Sequence, residues 1–279
     1  MMFHDLVSAI LEDRRPSHNI WFAGDFHTPA PFSYQVNFPR LELVLEGCYI
    51  NKMESSENRV TKINATAGDA IFIPPNCWNY PYWNTDCSVL SILFGRRQLG
   101  LSLVSKRKDE KTFFDVQKHS IRTNSGAALD NVLMALNSLS SEHDKKPMDE
   151  LLLQTLLQYC KKMLEHSEEP SRDRVRDLYQ QICVYIQENY HHAISRENIS
   201  ERFNISANHL SRMFRQQGHM TLADYIIWVR IDRAKFMLKK YNFKLSEVAH
   251  RCGFKDVNYF CRVFKKRTGH TPTAYRNSN

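Results

Sequence analysis

No apolar run in the 279-residue sequence is long enough to cross a bilayer. The longest, such as Leu151-Leu152-Leu153, fall far short of the ~18 residues a spanning helix needs. Among the seven cysteines (48, 77, 87, 160, 183, 252 and 261) there is no C-x-x-C pair, and none of the twelve histidines stands at finger spacing from one. That spacing excludes a zinc finger or ribbon, so no metal and no other cofactor is expected. An odd, dispersed set of cysteines reads as reduced thiols packed as small hydrophobes. No secretory leader is expected, since His4 and Asp5 sit where a basic stretch would and Glu12-Asp13-Arg14-Arg15 follows without a cleavage site. What is present is an ordinary globular balance, 42% apolar and 24% charged, enough for about two domains. The expectation is a soluble cytoplasmic protein without membrane partners.

Charge becomes informative when the chain is divided. Residues 171–279 hold 20 Lys+Arg against 9 Asp+Glu, a net of +11, whereas the remainder is slightly acidic at −3. A basic segment attached to a mildly acidic one points to a polyanion partner for the first and a different task for the second.

Pattern and period divide the chain further. The first hundred residues carry short apolar or alternating runs: Phe32–Phe38, Leu41–Leu45, Cys48–Met53, Ala70–Ile73 and Ser88–Phe94. Turn signals such as Glu46-Gly47, Gly68-Asp69 and Pro74-Pro75-Asn76 separate them. Many short strands with closely spaced turns predict a small barrel or sandwich. The period then changes to three and four, with Leu129, Val132, Leu133, Leu136 and Leu139 followed by Leu153, Leu156, Leu157, Cys160, Met163 and Leu164. These are two amphipathic helices, whose stripes can serve as core or as an interface between two copies. The domains expected are residues 1–125 as a sensor, 126–166 as connecting helices that carry dimerisation, 167–174 as a linker and 175–279 as a helical basic domain.

The basic domain contains a repeat. Asn208-His209-Leu210-Ser211-Arg212-Met213-Phe214-Arg215-Gln216 aligns with Asn258-Tyr259-Phe260-Cys261-Arg262-Val263-Phe264-Lys265-Lys266 at an offset of 50. Upstream the offset is 49: Asn204 stands opposite Gly253, and Ser200 opposite Ala249. Each copy reads as helix–turn–helix, with a residue tolerant of positive φ at the turn, a small residue at the helix crossing, and Ser206 or Asp256 as N-cap. Leu210, Met213 and Phe214 form a buried face; Asn208, Ser211, Arg212 and Arg215 form the opposite one. Such polar faces suit base edges and phosphates in a major groove. A solvated face on a plain helical bundle is the alternative, disfavoured because the same residue types recur twice in the basic domain. The units are expected at about 196–217 and 244–267, joined by one helix at 221–240. Thr221 and Asp224 form its capping box.

These residues resemble the AraC/XylS family of bacterial transcriptional regulators. The resemblance is densest in Ala249-x3-Gly253-Phe254-x4-Tyr259-Phe260-x-Arg262-x-Phe264-Lys265-Lys266-x2-Gly269-x2-Pro272-x2-Tyr275-Arg276. It implies a seven-helix domain with two helix–turn–helix units. The base contacts expected are Asn208, Ser211, Arg212, Val257, Asn258 and Arg262. The phosphate contacts expected are Ser206, Arg215, Lys255, Tyr259, Lys265 and Lys266. The chain departs from the family at His219, where the counterpart of Gly269 would be glycine and Gly218 lies one residue early; a looser helix end is expected there.

Gly68-Asp69-x4-Pro74-Pro75-Asn76-Cys77-Trp78-Asn79 is similar to the second motif of a cupin barrel, the effector domain of many regulators of this family. The fold expected is therefore α+β: a cupin-like β-barrel, connecting helices and an all-α domain. Asn79 replaces the histidine of an enzymatic cupin, which argues against a metal-dependent oxygenase or isomerase. A small-molecule effector could lie between the sheets, with Arg40, Glu42, Tyr34, Trp78 and Tyr80 as candidate contacts. The alternative is a barrel used only for assembly or a protein partner. The partners expected are promoter DNA, RNA polymerase and a second copy of the chain.

Overall fold

The computed structural model describes residues 3–12, 19–30, 33–55, 59–95, 98–110, 113, 115–122, 127–139, 147–165 and 174–278. The chain divides into two compact units, Met1–Arg172 and Asp173–Asn279. Of the linker expected at 167–174, all but Arg174 lies outside the described residues. Among the described residues no helix is long and apolar enough to cross a membrane.

In the first unit the order is α1 (Phe3–Glu12), β1 (Ile20–Phe22), β2 (Tyr34–Gln35), β3 (Arg40–Glu54), β4 (Val60–Thr66), β5 (Ala70–Ile73), β6 (Trp78–Tyr82), β7 (Cys87–Gly95), β8 (Gln98–Lys106), β9 (Asp115–Arg122), α2 (Ala127–Leu139) and α3 (Met148–Glu165). The turn expected at Glu46-Gly47 is instead a bulge inside one 15-residue strand, with the register slipping between Val44 and Glu46. Just beyond the bulge Gly47 has φ 72°, and a Cβ there would lie 2.0 Å from the Asp86 carbonyl oxygen, so the strand passes that carbonyl only with glycine.

That bulge explains a departure from the closed barrel. The first part of β3 pairs with β5 and β7, and the part beyond Gly47 with β4 and β6. Two sheets therefore share one long strand. Among the described residues the main ladder runs β1-β5-β3-β7-β8-β9 and stays open, with β4 and β6 branching off β3.

Strand alternation sorts the core into two layers. Leu41, Leu43, Phe72, Leu90 and Ile92 pack with α1, α2 and α3, whereas Val44, Ile71, Ile73 and Val89 join Tyr49 and Met53 on the other face. The two leucine stripes belong to the first layer. Leu129, Leu133, Leu136 and Leu139 and Leu153, Leu156, Leu157 and Leu164 are each at most 9% exposed. At roughly 1.5–3 kcal/mol per buried leucine, the stripes are committed to this core and are not half-open seams. The apolar side chains that α2 and α3 leave to solvent are Met134, Met148 and Leu151.

The second unit is helical throughout: α4 (Arg174–Asn189), α5 (Arg196–Arg202), α6 (Ala207–Gly218), α7 (Leu222–Lys240), α8 (Leu245–Arg251), α9 (Val257–Thr268) and α10 (Pro272–Asn277). It holds two separate cores. Ile182, Ile186, Ile199, Leu210, Phe214 and Val229 centre the first; Ile231, Ala234, Val248, Phe260 and Phe264 centre the second. Helix α7 serves both, with the division falling between Val229 and Ile231.

Candidate nucleic-acid interface

Each repeat folds as a helix pair with the turn its sequence requires. Between α5 and α6, Asn204 takes φ 50°; between α8 and α9, Gly253 takes φ 78°. Ser200 and Ala249 are buried at the crossings. The Ser206 hydroxyl accepts the His209 amide hydrogen at 3.1 Å, and the Asp256 carboxylate accepts that of Tyr259 at 2.5 Å, so both second helices are capped. The Thr221 hydroxyl accepts the Asp224 amide hydrogen at 3.1 Å, starting α7 as the capping box requires.

The end of α6 lacks the closing hydrogen bond that ends α9, where the Gly269 N–H donates to the Lys265 carbonyl. His219 adopts the left-handed C-cap conformation at φ 51°, the position Gly269 fills after α9 at φ 80°. Gly218 has a different role. A Cβ on it would come within 2.4 Å of the Tyr179 hydroxyl of α4. The glycine is there for packing, and histidine tolerates the turn.

Burying one face of each second helix exposes the other. Leu210, Met213 and Phe214 of α6, and Phe260 and Phe264 of α9, are buried. Asn208, Arg212 and Arg215 project from α6 into solvent; Asn258, Tyr259, Arg262, Lys265 and Lys266 do so from α9, and Lys255 from the preceding turn. Several of the expected site residues are not free-standing. The Ser211 hydroxyl donates to the Ala207 carbonyl at 3.0 Å. Ser206 is engaged as a cap, and Val257 is half-buried against the second core. Arg262 lies with its guanidinium 5.6 Å from the Tyr259 ring centroid, a stacking that holds the fork out from the helix. The sequence reading passed over His209, whose Nδ1 sits 3.3 Å from Arg212 Nη2; the i, i+3 spacing was the available signal.

In the first unit, Arg40, Glu42, Asn51 and Asn79 form a buried polar group. Arg40 Nη2 donates to Asn79 Oδ1 at 2.6 Å, and its Nη1 lies 3.6 Å from the Glu42 carboxylate. Asn79 Nδ2 and Asn51 Nδ2 each donate to Glu42 at 3.3 Å. Burial, reinforced by the Glu42 charge, pushes the Tyr49 hydroxyl well above its ordinary pKa. Tyr34 lies 5.9 Å from the Arg40 guanidinium. Trp78 and Tyr80 alternate with Asn79 along β6 and so face the other way. The Trp78 indole N–H donates to the His27 carbonyl at 3.2 Å. Of the five expected effector contacts, the fold gathers Tyr34, Arg40 and Glu42. It adds Asn51, which had no signal in a strand of unknown register.

Two capped helix–turn–helix units on a shared helix, in a unit with a strong excess of positive charge, define a DNA-binding protein. A helix-turn-helix domain family matches residues 199–278. The chain is 34% identical over 280 residues to the uncharacterized HTH-type transcriptional regulator YijO of Escherichia coli K12, covering 99% of this chain and 95% of that one. It is also 34% identical over 275 residues to the uncharacterized HTH-type transcriptional regulator YpdC of the same organism, at 98% and 94% coverage. The HTH-type transcriptional activator RhaR of Enterobacter sp. 638 is 31% identical over 139 residues, 50% of this chain and 49% of that one. The chain belongs to the AraC/XylS-type HTH transcriptional regulators.

Proposed function

We propose that this regulator reads promoter DNA by inserting α6 and α9 into successive major grooves on one face of the duplex. Asn208, Ser211, Arg212, Val257, Asn258 and Arg262 face bases, and Ser206, Arg215, Lys255, Tyr259, Lys265 and Lys266 face phosphates. The observation that carries this is the doubled arrangement of exposed Asn and Arg opposite a buried aromatic face. Helix α7, with 19 residues, is ~28 Å long, commensurate with the ~34 Å between successive grooves. Selection from a random duplex pool tests it: a two-part site with about ten base pairs between the half-site centres is expected, and enrichment of no sequence would sink the reading.

A small-molecule effector bound in the first unit fits the polar group around Arg40 and Glu42. Arg40 Nε and Asn51 Oδ1 are buried there without a hydrogen-bond partner, which suits a hydroxylated ligand supplying both a donor and an acceptor. Thermal unfolding of the full chain against a metabolite panel tests this; a ligand at a hundredfold its Kd adds ~2.7 kcal/mol. Asn79 is engaged by Arg40 and Glu42, which supports a regulatory and not a catalytic role for the cupin-like motif. Self-association through α2 and α3, by way of exposed Met134, Met148 and Leu151, joins two copies on DNA and raises affinity through tethering. Contact with RNA polymerase and a cytoplasmic location complete the reading. Sedimentation of wild type and Leu151→Glu tests the assembly.

A further inference from the structure

The two cores of the second unit meet along the middle of α7, where Arg230 and the buried Arg233 both reach Tyr190. Arg230 stands on α7 between Val229 of the first core and Ile231 of the second. Its Nε donates to the Tyr190 carbonyl at 2.9 Å, and its Nη2 to the His192 carbonyl at 2.9 Å. Both acceptors belong to the segment between α4 and α5, in the first half. On its other side the guanidinium lies 5.6 Å from the ring centroid of Phe254, in the turn of the second helix–turn–helix.

The neighbouring Gly253 shows how close this approach is. A Cβ there would fall 2.6 Å from the Tyr190 carbonyl oxygen and 2.9 Å from Arg230 Nη2. The α4–α5 segment and the second turn are thus drawn together across one guanidinium. Its planar fork suits the task, since it satisfies two carbonyls and presents a face to an aromatic ring at once. Arg233 adds a side-chain hydrogen bond to Tyr190, while the ion pair between Arg267 of α9 and Asp224 of α7 is about two-fifths exposed on both partners, and exposed pairs of this kind contribute little.

We propose that Arg230 is the positioning residue that fixes α6 relative to α9, and so sets the number of base pairs separating the two half-sites this regulator accepts. This rests on the reading of α6 and α9 as the two DNA-reading helices. Inserting one base pair displaces a half-site by ~3.4 Å and rotates it by ~35°. A platform held at Arg230 cannot follow, whereas one free to bend about α7 can. Arg230 needs no contact with a base for this effect.

The test uses the full-length chain and the duplex selected on wild type, with one or two base pairs added or removed between half-sites. Wild type is expected to lose about tenfold or more in affinity for each one-base-pair change. Arg230→Met, which keeps the stem but no donor, is expected to bind the best spacing more weakly and to lose about threefold or less on altered spacings. Base preference within each half-site stays unchanged. Arg230→Lys keeps the charge and one donor, and is expected to fall between the two. Penalties equal to wild type in Arg230→Met overturn the proposal. If that variant fails to fold, wild-type penalties in Arg230→Lys do so. A wild-type chain that enriches no DNA at all removes the DNA reading itself, and the proposal with it.

Discussion

Gly218 of α6 packs beneath the hydroxyl of Tyr179, and a methyl group there would overlap that oxygen. The contact joins α6, the second helix of the first helix–turn–helix, to α4 and places its polar face. Gly218→Ala is therefore expected to destabilise the second unit by about 1–3 kcal/mol, the usual cost of overpacking. His219→Gly, one residue later at a left-handed position, is expected to raise stability by up to about 1 kcal/mol. Urea unfolding of both variants checks the pair. Equal losses in the two would show that helix termination, and not the Tyr179 contact, fixes this end.

Arg212→Ala and Arg262→Ala are each expected to cost about 1–3 kcal/mol in DNA affinity and to relax base preference in different half-sites. Lys265→Ala and Lys266→Ala should weaken all sequences alike and reduce the salt slope by about one each. Binding titrations over a salt series separate the two behaviours. An arginine variant that weakens every sequence equally would be a phosphate contact.

Arg40 neutralises Glu42, with both side chains buried. Arg40→Met leaves that carboxylate without its counter-charge and is expected to cost about 3–5 kcal/mol. Replacing both partners, Arg40→Met with Glu42→Met, should recover much of the loss, because no charge is then left buried. Unfolding of the first unit followed by tryptophan fluorescence measures it. A double variant no more stable than the single one would contradict the pairing.

Burial first, and then His192 and Arg230, lower the His191 pKa from 6.5 to about 4. An unfolded chain protonates this ring near 6.5 and the folded one only near 4, so the unfolded state binds more protons between those values. Stability from this group is complete above that window and falls as the pH drops through it. Denaturation midpoints from pH 7.5 down to pH 4 are expected to fall more steeply for wild type than for His191→Gln. Parallel profiles would rule His191 out as a source of acid sensitivity.

The second unit was legible in the sequence because its information is local. Period, caps and turn residues lie within a few positions of one another, and the duplication supplied an internal control for Asn208, Arg212, Asn258 and Arg262. The first unit was less legible. Helix α1 and strands β1, β4, β6, β8 and β9 were not recognised. Glu46-Gly47 read as a turn, because a glycine at positive φ suits a turn or a kinked strand alike and only the Asp86 carbonyl opposite it decides. Strand register was the other missing quantity. It turns Asn79 toward Arg40 and sends Trp78 and Tyr80 the other way, and no local pattern states it. Arg230 escaped notice for a related reason: its partners, Tyr190 and His192, lie about forty residues away in the chain.

The parallel pairing of β1 with β5 sets Ile20 beside Ala70, so fifty residues must loop back before that ladder gains its first bond. The helix pairs α5–α6 and α8–α9 close over a few residues. Folding speed follows this difference in sequence separation. The half of the chain that is synthesised first is consequently the slower to finish. Until β1 and β3 dock, the apolar strand Ala70–Ile73 remains uncovered, which makes the first unit the more aggregation-prone half during synthesis.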